Sequence, residues 1–191
     1  PITLYGKANL SAQLSDDGDG SFSELKSNAS RVGVKGNVEL EHGLELVYNL
    51  EWGVDISDES GADNISSRNQ YVGLKGSFGS VLVGRKDSAL KGLSKPVDVM
   101  NDYEADLKGL WKGENRYSNS VSYLSPSVNG FSVEVNYVFK DSVGGEDSVA
   151  TAVYYGDTGL KDSKWFAGLA LESDVKGYDV QRAILQGKLG A

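Results

Sequence analysis

The side chains best equipped for chemistry in this chain are charged ones, and their arrangement does not suit catalysis. His42 is the only histidine, and cysteine is absent. That histidine falls in the short Glu41-His42-Gly43 segment, where no Ser-His-Asp relay can be assembled around it. Without cysteine there is no thiolate nucleophile, disulfide framework or thiolate metal site. Carboxylate neighbours occur at Asp16-Asp17 and at Glu104 and Asp106. Paired carboxyls can serve as acid and base, but charges in such polar loops read as solvated surface. The acidic runs Asp16-Asp17-Gly18-Asp19 and Glu146-Asp147 lack the full calcium-loop pattern. No catalytic residue, metal site or cofactor is expected.

What remains is electrostatics. Lys7, Arg31, Lys35, Glu39, Glu45, Glu51, Arg116, Glu134 and Arg182 all stand on the polar parity of alternating segments. A separate group of acids, Asp98, Asp102, Glu104 and Asp106, lies in the longest connecting segment, 86–115. Charges fixed on a wall and on a loop beside it can orient dipoles and sort ions as they pass.

The elements that hold these charges read as strands. Ile2, Leu4, Gly6, Ala8, Leu10, Ala12 and Leu14 alternate with Thr3, Tyr5, Lys7, Asn9, Ser11 and Gln13. Val32, Val34, Gly36, Val38 and Leu40 oppose Arg31, Lys35, Asn37 and Glu39, and Leu44, Leu46, Tyr48, Leu50 and Trp52 oppose Glu45, Asn49 and Glu51. Period-two alternation marks a strand whose two faces meet different solvents. Further candidates cover 68–76, 81–85, 116–124, 131–139, 148–155, 164–173 and 180–189, giving ten strands in all. Soluble strands usually run ~5–6 residues, whereas several of these approach the ~9–11 needed to cross a bilayer at a tilt. A midplane Arg or Lys facing lipid would cost ~2–4 kcal/mol, so the charged parity must face water.

The connections support that reading. Segments 15–29, 53–67 and 86–115 are long and polar, while 41–43, 76–79 and 125–130 are short. Long loops at one end and short turns at the other belong to an outer-membrane barrel. Trp52, Tyr123, Phe131, Phe139 and Trp165 sit near strand ends on the apolar parity, as interfacial girdles require. No run approaches the ~20 apolar residues of a membrane helix. A mean hydropathy of −0.33 fits strands that place alternate residues in water. The net charge of −8 argues against nucleic acid as a partner.

The opening Thr3-Leu4-Tyr5-Gly6-Lys7 resembles the first strand of Gram-negative general diffusion porins, and Arg31-Val32-Gly33-Val34-Lys35-Gly36 resembles their second. Tyr71 with Gly73-Leu74-Lys75-Gly76, Phe78-Gly79 and Gly84-Arg85 is similar to strands four and five. Asn119-Ser120-Val121-Ser122-Tyr123, Ser125-Pro126 and Gly130-Phe131 are similar to strands six and seven. The likeness is good over residues 2 to 139 and looser beyond. It implies an all-β, antiparallel transmembrane barrel of 16 strands, of which about ten are present. Residues 1–191 are then a single barrel domain, expected to be its N-terminal portion. The chain ends at Ala191 rather than at the terminal aromatic residue of such barrels.

The resemblance further implies a homotrimer in outer-membrane lipid and lipopolysaccharide, passing small polar solutes and ions. Its third loop, about 86–115, folds inward as a constriction. Asp98, Asp102, Glu104 and Asp106 would face a basic wall comprising Lys7, Arg31, Arg85 and Arg116. Many relatives carry an arginine before the Ser-Pro pair, where this chain has Leu124, on the parity of Arg116, Ser118, Ser120 and Ser122. A missing wall cation beside four loop acids tilts the expectation towards weak cation preference. Trp111 and Tyr103 are the only large rings in the loop, which favours general diffusion over a sugar-specific channel. Gly6, Ala8 and Ala12 make the outward face of the first strand small, which suits a subunit interface. Two other readings are an outer-membrane receptor or adhesin acting through its loops, and a soluble β-sandwich. The latter would show shorter strands and need no detergent.

Overall fold

The computed structural model describes residues 1–57 and 64–188. Its main element is a ten-stranded sheet in which every neighbouring pair is antiparallel. In chain order the strands are β1 (Ile2–Lys7), β2 (Leu10–Asp16), β3 (Ser21–Ser27), β4 (Arg31–Glu39), β5 (Glu45–Val54) and β6 (Ile65–Gly76). They continue with β7 (Gly79–Asp87), β8 (Arg116–Leu124), β9 (Phe131–Val138), β10 (Ser148–Tyr155), β11 (Trp165–Val175) and β12 (Tyr178–Gly187). One short helix, α1 (Ala89–Ser94), follows β7. Strand β1 pairs with β4, and from β4 onward each strand pairs with the next.

All ten expected wall strands are present, but their boundaries differ in instructive ways. The expected first strand, 2–14, breaks at Ala8 and Asn9. Its second half becomes β2, which pairs with β3 in a separate hairpin. The expected loop 15–29 is therefore mostly strand, with only Asp17 to Gly20 turning the chain. Alternation did not reveal β3 because Phe22 and Leu25 fall on opposite parities. Strand β6 starts three residues before 68 and β7 runs on to Asp87, so both adjoining loops are shorter than expected. Within the expected loop 53–67, residues 58–63 lie outside the described residues, as does Leu189 of the expected last strand. The loop-length rule also has an exception: β11 and β12 join through a tight turn at Lys176-Gly177, while 156–164 at the opposite end is longer.

The two faces are inverted relative to a water-soluble sheet. On β11 Leu169 is 64% exposed and on β12 Leu185 is 72% exposed, while Glu172 is 2% and Arg182 8% exposed. On β10 Val149, Val153 and Tyr155 are exposed, while Ser148, Ala150, Ala152 and Tyr154 are covered. Apolar surface left open on this scale suits lipid, where water does not penalise it. Aromatic rings mark the ends of the strands on this outward face. Phe131 and Tyr155 pack at 4.9 Å at one end, and Tyr137 and Phe139 at 5.0 Å at the other. Phe131, Phe139, Tyr123 and Trp165 are exposed as girdle residues should be, whereas Trp52 is half-buried.

Strict pairing breaks at register shifts in β5–β6, β7–β8 and β11–β12, and the one between β7 and β8 bears on the expected wall. The β7–β8 register shifts between Gly84 and Lys86, and Asn119 opposite adopts a positive φ of 50°. Gly84 itself sits at φ 131°, and a Cβ there would press on the Gln70 carbonyl and Tyr71 backbone, so glycine is required. Across this bulge Tyr117 joins Ser120 and Ser122 among the covered residues. The expectation that Arg116, Ser118, Ser120, Ser122 and Leu124 form one continuous face is thus corrected. A bulge adds a residue and re-aims the side chains beyond it.

Candidate functional site

The polar face of the sheet is covered by residues 88–115. Ser88 caps α1 by accepting a hydrogen bond from the Lys91 N–H at 3.0 Å. Ala89, Leu90 and Leu93 are completely buried against Ala152, Tyr154, Phe166 and Ala170 of β10 and β11. The Ala89 N–H donates to Asn136 Oδ1 at 2.6 Å, and the Tyr154 hydroxyl donates to the Ala89 carbonyl at 2.8 Å. Lys86 pairs with the buried Glu134. A segment without strand partners can sit against a sheet face only if its backbone groups find such partners.

From α1 the chain crosses to the strands at the opposite side of the sheet. Lys7 Nζ on β1 lies 2.5 Å from Asp102 Oδ2, and Arg31 Nη2 on β4 lies 3.2 Å from the same oxygen. Glu104 pairs with Lys26 on β3, and Asn9 Nδ2 donates to the Tyr103 hydroxyl at 3.3 Å. Two of the four basic side chains expected opposite the loop, Lys7 and Arg31, thus engage Asp102, and Lys26 engages Glu104.

The remaining acids turn inward on the loop. Asp106 accepts from the Lys108 N–H at 2.8 Å, capping the short turn Leu107–Gly109, and its other oxygen lies 3.4 Å from Lys108 Nζ. Asp98 accepts a long 3.5 Å bond from the Leu107 N–H, and both Asp98 and Asp106 are buried. Burial pushes the Asp98 carboxyl above its ordinary value, with the Asp106 charge adding to this and the Leu107 N–H opposing it. At Asp102 burial pulls the same way. There the Lys7 hydrogen bond and the Arg31 and Lys7 charges outweigh it and hold the carboxyl below the ordinary range.

The wall between β4 and β8 carries the other expected cations. Arg116 Nε lies 2.8 Å from Asp87 Oδ1, which Lys91 also approaches at 3.4 Å. Arg85 Nη1 donates to Ser118 Oγ at 2.6 Å and makes no ion pair among the described residues. Lys26, Arg68, Asp87, Lys91 and Lys108 were not singled out from the sequence. Lys26 was hidden in the supposed loop 15–29. Arg68, 2.6 Å from Glu51 Oε1, lies inside β6 where the β5–β6 register shifts, and Asp87 ends β7, so parity gives no guidance at either. Glu51 also accepts from the Tyr5 hydroxyl at 2.9 Å, so the polar parity read for β1 and β5 converges as expected.

This geometry has close counterparts. Residues 2–183 match a family described as Gram-negative porin. The chain is 31% identical over 174 residues to a major outer membrane protein P.IB of Neisseria gonorrhoeae, covering 83% of this chain and 49% of that protein. A Neisseria lactamica protein of the same name is also 31% identical, over 175 residues, with 83% and 51% covered. The chain thus spans about half the length of the curated relatives it matches. Among solved structures, an anion-selective porin from Comamonas acidovorans superposes with a TM-score of 0.71 at 22% identity, covering 97% of this chain and 61% of that one. Salmonella typhi OmpF, in complex with daunomycin, gives 0.72 at 17% identity, covering 90% and 53%. With its inverted sheet, its inward loop and a family match running almost from end to end, the chain belongs to the Gram-negative porin family.

Proposed function

We propose that the protein carrying this segment is an outer-membrane porin, a water-filled channel through which ions and small hydrophilic solutes diffuse passively. The observation that carries this reading is the packing of residues 88–115 against the polar face of a sheet whose other face is apolar and exposed. Such a loop narrows a lumen, and nothing in that role requires an enzyme. Residues 1–191 act as one barrel domain, with 88–115 as the constriction and Lys7, Arg31, Arg85 and Arg116 on the basic wall. Lipid and lipopolysaccharide contact the outward face. The working assembly is a homotrimer with β1 and the adjoining Ala8 at the subunit contact, and crosslinking of an Ala8→Cys protein that gave only monomers in native membranes would count against that contact.

Ion preference follows from how the charges are used. Asp102 is engaged by Lys7 and Arg31, Glu104 by Lys26, and Asp106 by Lys108 and its cap. Arg85 has no such partner among the described residues. The fourth acid, Asp98, is buried and accepts from the Leu107 N–H, so the unpaired charge set towards passing ions among these groups is that of Arg85, which raises local anion concentration. This supports weak anion preference, opposite to what a count of loop acids suggests. The Comamonas acidovorans porin of similar fold is described as anion-selective. The test is reconstitution of the whole protein in planar bilayers under a salt gradient. Stepwise conductance with a reversal potential on the anion side is expected; a folded protein that passes no current would refute the channel.

A further inference from the structure

Arg182 stands on β12 with its guanidinium among residues of the inward loop. Nη1 donates to Ser94 Oγ and pairs with Glu114, and Nη2 donates to the Lys112 carbonyl at 2.6 Å. The guanidinium carbon lies 4.4 Å from the centre of the Trp111 ring. Ser94 is the last residue of α1, where the loop leaves the wall, and 111–114 is where it returns towards β8. One side chain thus grips the outgoing and the returning limb together.

The local backbone is shaped for this contact. Gly113 adopts φ 99°, and a Cβ there would collide with Leu90 and lie 3.4 Å from Arg182 Nη2. Lys112 turns away, its ammonium 4.6 Å from the Tyr178 ring, which leaves its carbonyl for Arg182. The side chains of Arg182 and Glu114 are only 6% and 2% exposed. A buried ion pair contributes little net stability over a well-packed apolar substitute, so its value here lies in fixing geometry. Only a planar guanidinium can fork between two backbone segments and stack on a ring at once. At the far end of the loop, Lys7, Lys26 and Glu104 are much more exposed. The two ends are unequal: a dry base and a wet tip.

We propose that Arg182 is the positioning residue of the constriction. It locks both limbs of residues 88–115 to β12, so that the tip reaches Lys7 and Arg31, and thereby sets the width of the passage. This rests on the channel reading above.

The test compares the whole wild-type protein with Arg182→Gln, Arg182→Lys and Trp111→Leu, each refolded in detergent and checked for barrel formation by heat-modifiable migration. In planar bilayers Arg182→Gln is expected to give an open-state current several times noisier than wild type, with a shifted reversal potential. Arg182→Lys restores the charge but not the fork and should recover only part of the steadiness. Trp111→Leu lies in the loop rather than the wall. It should raise the noise even if Arg182→Gln fails to form a barrel. Limited proteolysis reads the same inference without any current. Cleavage within 95–110 should rise by at least about 100-fold in Arg182→Gln, the lower bound expected when a buried ion pair loses one partner. Folded variants with wild-type noise, reversal potential and protease resistance would overturn the assignment. A folded wild-type protein that carries no current refutes the channel reading alone, and proteolysis then decides the positioning role.

Discussion

The contact between Asp102 and the strands opposite gives the sharpest prediction. Asp102→Asn keeps the shape of the side chain and removes the charge shared by Lys7 and Arg31, at 2.5 and 3.2 Å. The Lys7, Arg31 and Asp102 side chains are 41%, 21% and 12% exposed. An exposed ion pair contributes ~0.2–1 kcal/mol, and a hydrogen bond to a charged group ~1.5–3 kcal/mol. Asp102 bonds two cations at a half-wet site, which places it in the lower part of the second range, at about 2 kcal/mol, or roughly 30-fold in the equilibrium between docked and released tip. The variant should show rapid flicker of the open channel at neutral pH. Its reversal potential should move further to the anion side, because two wall cations are freed. The carboxyl titrates below its ordinary value in the folded protein. Docking strength is therefore complete above that ordinary value and is lost as pH falls through the lowered one. Wild type should begin to flicker only in strong acid, whereas Asp102→Asn flickers at every pH. Screening tightens from ~10 Å at 0.1 M salt to ~3 Å at 1 M, so the difference should shrink at high salt. Single-channel recordings in which Asp102→Asn is as quiet as wild type at 0.1 M salt and neutral pH would refute the reasoning.

Other substitutions probe the rest of the wall. Arg85→Ala removes a wall cation that makes no ion pair among the described residues and should lower anion relative to cation permeability; an unchanged reversal potential under a salt gradient would count against its exposure to the pore. Leu169→Lys places a charge on the lipid face of β11 and should cost about 2–4 kcal/mol in folding into vesicles, measured by urea titration. Leu93→Ala empties a fully buried position between α1 and the wall and should weaken loop docking by about 2–5 kcal/mol. The readout is faster protease cleavage within 95–110 while the barrel still migrates as folded.

How much could be read in advance depended on the range of the interaction. Alternation is local, and it located all ten wall strands and the polar parity of Tyr5, Glu51, Glu134 and Arg182. It failed where the backbone departs from ideal pleating. At the Gly84–Asn119 bulge two consecutive positions change their aim, and at Ala8-Asn9 a strand leaves one partner for another. Neither event alters the sequence pattern, since bulges and partner changes are settled by the neighbouring strand.

The sequence by itself therefore determined a wall with one face for lipid and one for water, because a period of two fixes which residues share a face. It also placed four acids in one long loop and four bases on the strands. Only the tertiary structure decided what those charges do. Asp102 lies 95 residues from Lys7 and 71 from Arg31, and Ser94 lies 88 from Arg182. Partners so distant meet only after strand registry and loop packing are set, and no local spacing encodes their distance. Four acids and four bases could have faced each other across open water; folding instead joined Asp102 to Lys7 and Arg31, gave Glu104, Asp106 and Arg116 other partners, and left Arg85 without a carboxylate among the described residues.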